Sequence, residues 1–253
     1  MFRLVKPYLD LIWPNEHDKN SDNEFYGEIK KELKYFSEQY SKLIDNEVVD
    51  YNTRARRFAH IYKYGPRNVA AIQHALSKIK DEVIGMDNIN VLSVGGGAGL
   101  DIIAINSLSG TSVTKHICLD KNSWNDEYDI LCDEQEIANR SFIKCNICEF
   151  DQDISDINLV VFLYSLGELT DYDGACAKIT DICGRIDGKK YILVIDCNFT
   201  KTLSYVEHIN KIANKIYEDT INTQRLLDEK TDLGVYYTIL DNIAIHSDTK
   251  IVI

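Results

Sequence analysis

An α/β fold built on a mostly parallel sheet, preceded by a helical segment, follows from three features of this 253-residue chain. Apolar residues recur every three or four positions from about Asn23 to Lys80, whereas from Asn90 onward short apolar runs alternate with segments of helical period. The run Leu159-Val160-Val161-Phe162-Leu163 is continuously apolar, as a central parallel strand covered on both faces requires. Between Val91 and Ile105 an apolar strand passes through Gly95-Gly96-Gly97-Ala98-Gly99 into an apolar helix. Glycines there permit left-handed backbone and close approach of a ligand, and the following helix directs free amides toward polar ligand atoms.

The helical segment comes first. Phe25, Ile29, Leu33, Phe36, Tyr40, Leu43 and Ile44 form one apolar face bordered by Lys and Glu. A second helix is expected over Thr53 to Lys63, and a third over Asn68 to Ile84, separated by Gly65-Pro66. Tyr8, Leu9, Leu11, Ile12 and Trp13 are expected to anchor the beginning. Residues 1–88 are therefore expected to form a helical substrate or interaction domain, and residues 89–253 the nucleotide fold.

In the second part, strands are expected at Asn90 to Val94, Ser112 to Asp120, Ser141 to Asn146, Ile157 to Tyr164 and Lys190 to Asp196. Helices are expected at Gly99 to Ser109, Trp124 to Ala138, Tyr172 to Gly184 and Leu203 to Leu227. Leu233 to Leu240 and Ile243 to Ile253 have β character with no room for a crossover helix, which predicts an antiparallel terminal hairpin.

Forty acidic residues against 28 basic ones give a formal charge of -12, which argues against broad attraction to nucleic acid. The strongest local basic cluster is Arg54, Arg56, Arg57, Lys63 and Arg67, with His60 among them. It reads either as a contact for an anionic substrate or as internal salt bridges in an acidic protein. The first residues lack the apolar run of a secretory signal and no stretch is long enough to span a bilayer, so a cytoplasmic protein with no membrane partner is expected. Seven cysteines, an odd number, fit reduced thiols. Cys145-Asn146-Ile147-Cys148 lacks a compact set of four ligands, so no metal is expected.

The glycine spacing separates nucleotide classes. A dinucleotide fingerprint places its third glycine one position later, where this chain has Leu100. A phosphate loop ends in Gly-Lys-Ser/Thr, which this chain lacks. The next strand ends Ile117-Cys118-Leu119-Asp120, placing a carboxylate where it can accept both hydrogen bonds of a ribose diol.

Taken in order, Val91 to Gly99, Cys118-Leu119-Asp120, Phe142 to Cys148 and Leu159 to Leu169 resemble the class I S-adenosylmethionine-dependent methyltransferases over roughly residues 90–253. The resemblance implies a Rossmann-like seven-stranded sheet of order 3-2-1-4-5-7-6 with strand 7 antiparallel, and S-adenosyl-L-methionine as cofactor. It assigns Gly95, Gly97 and Gly99 to the loop beside the amino acid portion and sugar, Asp120 to the ribose, and Asn146 with Ile147 to the adenine. Ser93, two positions before Gly95, stands where the family commonly has Asp or Glu and supplies a hydroxyl without the negative charge.

Such a cofactor needs no protein nucleophile; alignment of the acceptor supplies much of the rate. Tyr164 is expected to orient the acceptor, and Glu168 and Asp196 are the acidic candidates for proton removal at the ends of the fourth and fifth strands. Tyr62, Tyr64 and Arg67 are expected to roof the acceptor pocket. The expected activity is methyl transfer to a small-molecule or protein acceptor. The alternatives are another alkyl transfer such as aminocarboxypropyl transfer, an inactive cofactor-binding scaffold, and RNA methylation. The last rests on short similarities of Tyr62 to Leu76 and Tyr164 to Leu169 to a methyltransferase family associated with small ribosomal subunits, whose C-terminal cysteine cluster has no counterpart here. Sequence leaves the oligomeric state open.

Overall fold

The computed structural model describes residues 2–12, 19–40, 49–79, 88–188, 190–197, 200–213, 218–221 and 249–252. Three helices lead: α1 (Phe2–Ile12), α2 (Lys19–Tyr40) and α3 (Arg54–Lys78). Then follow β1 (Ile89–Val94), α4 (Leu100–Asn106), β2 (Val113–Asp120), α5 (Asn125–Glu134), β3 (Asn139–Lys144), β4 (Leu159–Leu163), α6 (Tyr172–Arg185), β5 (Tyr191–Cys197), α7 (Thr200–Ile212), β6 (Glu218–Ile221) and β7 (Thr249–Val252). Single 3-10 turns occupy Ile147–Glu149 and Leu166–Glu168.

α3 departs from expectation by running unbroken through Gly65-Pro66, where two helices were predicted. Thr53 caps its start by accepting the Arg56 N–H at 3.1 Å. Proline inside a helix forfeits one backbone hydrogen bond, so packing must hold the turn together. Gly65 and Pro66 are buried, and a methyl at Gly65 would stand 3.2 Å from Val5 and 3.4 Å from Leu100. The glycine is a site of close approach between α3, α1 and α4. Trp13, Leu43, Ile44 and residues 80–84, all assigned to the helical segment, lie outside the described residues, as do the side chains of Phe25 and Tyr40.

β3, β2, β1, β4 and β5 pair in that order, all parallel. This five-stranded parallel sheet contains every long strand, and the expectation for what lies beyond it requires correction. Among the described residues the sheet continues past β5 as two four-residue strands, β7 and then β6, with β7 antiparallel to both neighbours. The closing pair is not the hairpin predicted from Leu233 to Ile253. β6 comes from residues 218–221, inside the helix predicted to reach Leu227, and α7 stops at Ile212. Residues 222–248 lie outside the described residues. Short apolar segments carry too little periodicity to separate a buried helix from a strand, and the β-branched Thr220 and Ile221 favour the strand.

Strand alternation divides the core between the two faces of the sheet. Val91, Leu159, Val161 and Leu193 pack with α4, α5 and residues of all three leading helices, including Val5, Phe36, Ile61 and Ile72. Leu92, Val94, Val160, Phe162 and Val194 pack with Ile179 and Ile182 of α6 and Tyr205 and Ile209 of α7. The leading helices thus cover one face of the sheet and share its core, bringing α3 over the carboxyl ends of β1 and β4.

Candidate functional site

The glycine loop leaves β1 in a conformation other residues avoid. Gly95, Gly97 and Gly99 have φ of 67°, 55° and 79°. Gly95 and Gly96 donate their N–H groups to the Leu119 carbonyl at 2.7 and 3.3 Å, which fastens the loop to the end of β2. Space is as restrictive as dihedral angle. A methyl at Gly95 would stand 2.3 Å from Ser165 Cβ, and one at Gly96 would stand 2.4 Å from Ser93 Oγ. Ser93 and Ser165 therefore press on the loop from β1 and from the turn after β4. Both are buried, and neither hydroxyl has a hydrogen-bond partner among the described residues.

Asp120 closes β2 beside this loop. Its Oδ2 accepts the Gly97 N–H at 3.0 Å, and its Oδ1 accepts from Asn122 N at 2.7 Å and Asn122 Nδ2 at 3.3 Å. Burial pushes its carboxyl up to about 6, aided by the negative charge of Glu168 and opposed by these hydrogen bonds. Further along the sheet edge, Asn146 is exposed and its Oδ1 accepts the Cys148 N–H at 3.1 Å, capping the turn Ile147–Glu149. Glu149 completes a capping box by accepting the Asn146 N–H. Ile147 is buried in the core beneath. Cys145 and Cys148 are free thiols, raised by burial. Among the described residues no group of three His, Cys, Asp or Glu side chains is placed to hold a metal.

β4 ends in a strained turn. Tyr164 has φ of 51°, a left-handed conformation costing a non-glycine residue about 1–3 kcal/mol, and its N–H donates to the Ile195 carbonyl at 2.7 Å. Asp196, buried at the end of β5, accepts the N–H groups of Leu166 and Gly167 on Oδ2 at 2.8 and 3.2 Å. That grip holds the 3-10 turn bearing Glu168. Lys121 donates to Glu168 Oε2 at 3.1 Å, yet burial still raises the Glu168 carboxyl above the usual range. Burial lowers Lys201, with the nearby charge of Lys121 adding to the effect.

α3 passes beside the turn after β4, and the three residues expected to roof an acceptor pocket, Tyr62, Tyr64 and Arg67, divide between two directions. Arg67 lies with its guanidinium carbon 4.6 Å from the Tyr164 ring centre and 4.9 Å from that of Tyr64. Arg67 thus lies between Tyr64 and the turn after β4. Tyr62 points elsewhere along the helix circumference, and its ring stacks on Phe58 with centres 6.2 Å apart. The basic cluster divides in the same way. Arg56 pairs with Glu32 at 2.7 Å and with Asp50, Arg57 pairs with Glu127 at 2.8 Å, and Arg54 donates to the Ile12 carbonyl. Arg67 lies at the turn after β4, and the Lys63 ammonium is buried near the Tyr64 ring that Arg67 also covers.

Several neighbours escaped sequence reasoning. Trp124 is buried against the loop: a methyl at Gly97 would stand 3.5 Å from its ring, and Tyr51 and His60 pack on it with centres 5.2 and 5.7 Å apart. Lys121 was equally unforeseen, and Ser165, inside the resembling stretch Leu159 to Leu169, had no expected role of its own. Only Lys121 carried a local signal, following directly on Asp120; the others reach the loop through tertiary packing.

No protein-family profile matches the chain, and no curated protein matches it in sequence. Solved structures do. Magnesium protoporphyrin IX methyltransferase from Synechocystis, determined with bound S-adenosylmethionine, is 10% identical, with TM-score 0.50 over 89% of this chain and 95% of that one. The [4+2]-cyclase SpnF is 8% identical, with TM-score 0.50 over 71% of this chain and 79% of that one. With the strand order and the glycine loop at the carboxyl end of β1, these likenesses give the chain a class I S-adenosylmethionine-dependent methyltransferase-like, Rossmann-type fold.

Proposed function

We propose that this chain is an S-adenosylmethionine-dependent methyltransferase acting on a small-molecule or protein acceptor. The observation that carries the reading is the Asp120 carboxylate, buried at the end of β2 and joined to the Gly97 N–H of a loop that turns on three positive-φ glycines. The residues fit the cofactor. Asp120 offers acceptors for a ribose diol, and the unpartnered Ser93 and Ser165 hydroxyls face the loop that would carry the amino acid portion. Ser93 provides no negative charge for the amino group, so binding on that side depends on neutral hydrogen bonds. Asn146 and Ile147 lie on the adenine side.

S-adenosylmethionine supplies a methyl group already activated on a sulfonium. The chain's own task is placement and proton management. Tyr164 and Arg67 close the acceptor side, with Tyr64 behind them. Glu168 is the base for an acceptor that must lose a proton, because burial raises its proton affinity while Lys121 holds it in place. Asp196 acts through the turn: by binding two of its amides it positions Glu168. The leading helices select the acceptor from above.

Asp120→Ala tests the reading. Loss of the ribose acceptors is expected to weaken S-adenosylhomocysteine binding at least tenfold, about 1.4 kcal/mol, by calorimetry, with the far-ultraviolet circular dichroism unchanged. Undiminished binding would refute the assigned role. A second reading has one observation in its favour: a [4+2]-cyclase shares the fold, so the fold leaves the reaction open. Product analysis separates the reactions. Methyl transfer leaves S-adenosylhomocysteine, aminocarboxypropyl transfer leaves methylthioadenosine, and a scaffold leaves the cofactor intact.

A further inference from the structure

We propose that the acceptor carries an anionic group, a carboxylate or phosphate, seated between Lys63 and Arg67 beside the Tyr164 ring. This rests on the reading of the space under α3 as the acceptor side of the site.

Lys63 is the starting point. Its ammonium nitrogen is buried without a hydrogen-bond partner, and among the described residues no carboxylate pairs with it. The ammonium stands 5.5 Å from the centre of the Tyr64 ring. This is unusual in a chain with a formal charge of -12, in which Arg56 and Arg57, both about two turns earlier on α3, are matched to acids. A buried cation lacking a counter-charge costs several kcal/mol, a cost that a bound anion offsets. Burial and the like charge of Arg67 bring the Lys63 ammonium down to about 8, which leaves it mostly charged near pH 7.

The surroundings confine that charge to one place. His60 is held neutral, pushed down to about 3 by burial and then by Arg67, so it adds no positive charge. Arg67 extends from Lys63 toward Tyr164, whose positive φ sets its ring under the guanidinium. Tyr164 immediately precedes Ser165, which touches the glycine loop at Gly95. An anion between the two cations would therefore lie next to the cofactor loop, on the side away from Asp120 and Asn146. A planar guanidinium beside a point-charge ammonium suits a carboxylate or phosphate.

The test uses the full chain saturated with S-adenosylhomocysteine, titrated with benzoate, phenyl phosphate and neutral benzamide. An anionic probe is expected to bind at least tenfold more tightly than benzamide. Lys63→Met and Arg67→Met should each lose that preference, Lys63→Arg should keep most of it, and S-adenosylhomocysteine affinity should stay within about twofold in all three. Lys63→Gln gives a second neutral variant, and circular dichroism verifies folding of each. Equal binding of benzoate, phenyl phosphate and benzamide, or an anion preference surviving Lys63→Met and Lys63→Gln, would overturn the proposal. So would a loss of S-adenosylhomocysteine affinity without loss for 5′-methylthioadenosine, which lacks the carboxylate, because the cations would then hold the cofactor. Failure of the unaltered chain to bind S-adenosylhomocysteine would instead defeat the methyltransferase reading, and titrating the anions without it still decides whether the seat exists.

Discussion

Asp120 carries two opposing demands in one side chain. Burial favours its protonated form, whereas a ribose diol is best accepted by the ionised form. Its folded value of about 6 lies above the ordinary 3.8, so its contribution to stability is fully present below about pH 4 and is lost as pH rises through about 6. Cofactor binding should run the other way. Affinity for S-adenosylhomocysteine is expected to rise about tenfold between pH 5 and pH 7, with a midpoint near 6, and Asp120→Asn should flatten the profile. Calorimetry across that range checks both outcomes; a profile identical in the variant would assign the titration to another group. Asp120 and the three glycines were legible in the sequence because strand ends and positive-φ turns impose residue types locally. Ser165 and Trp124 were not, because neither sits near the loop in sequence and each reaches it by packing.

At the scale of elements, the turn from Tyr164 to Glu168 depends on Asp196 in a neighbouring strand. Asp196→Ala leaves the Leu166 and Gly167 N–H groups without that acceptor, at a cost of about 1–3 kcal/mol for a buried donor, and should lower the thermal midpoint by several degrees. Activity should fall as well, through displacement of Glu168. Asp196→Asn keeps an acceptor oxygen and should recover most of both. A direct role of Asp196 in proton transfer predicts instead that the Asn variant melts normally while remaining inactive. α3 teaches a related lesson. Gly65-Pro66 reads locally as a break, yet the helix continues because the glycine is required for contact with α1 and α4. A second departure, β6 inside a predicted helix, arises where a four-residue strand has too short a pattern to be recognised.

For the whole molecule, the leading helices share a core with one sheet face instead of packing around a core of their own. Arg57 of α3 and Glu127 of α5 form a largely buried ion pair across that boundary, and the Tyr8 hydroxyl donates to the Glu127 carbonyl. A fragment comprising residues 89–253 would expose the side of α4 and the sheet that α1 and α3 cover. It is expected to aggregate or to bind a hydrophobic dye strongly, and co-expression of residues 1–88 should restore solubility. A soluble, cooperatively melting fragment would show that the nucleotide fold stands alone. No helix among the described residues is long and apolar enough to cross a membrane.

By itself the sequence determined the alternation of strands and helices, the glycine loop and the acid at the end of the second strand, since these depend on periodicity and on backbone conformations that few residue types tolerate. Only the tertiary structure decided that Arg56 and Arg57 pair with acids, that Arg67 lies over the Tyr164 ring while the Lys63 ammonium is buried beside Tyr64, that Asp196 holds a turn, and that the last described strands lie at 218–221 and 249–252. Pairing of charges and of strands joins residues distant along the chain, and a local pattern carries no record of which partner burial will bring within reach.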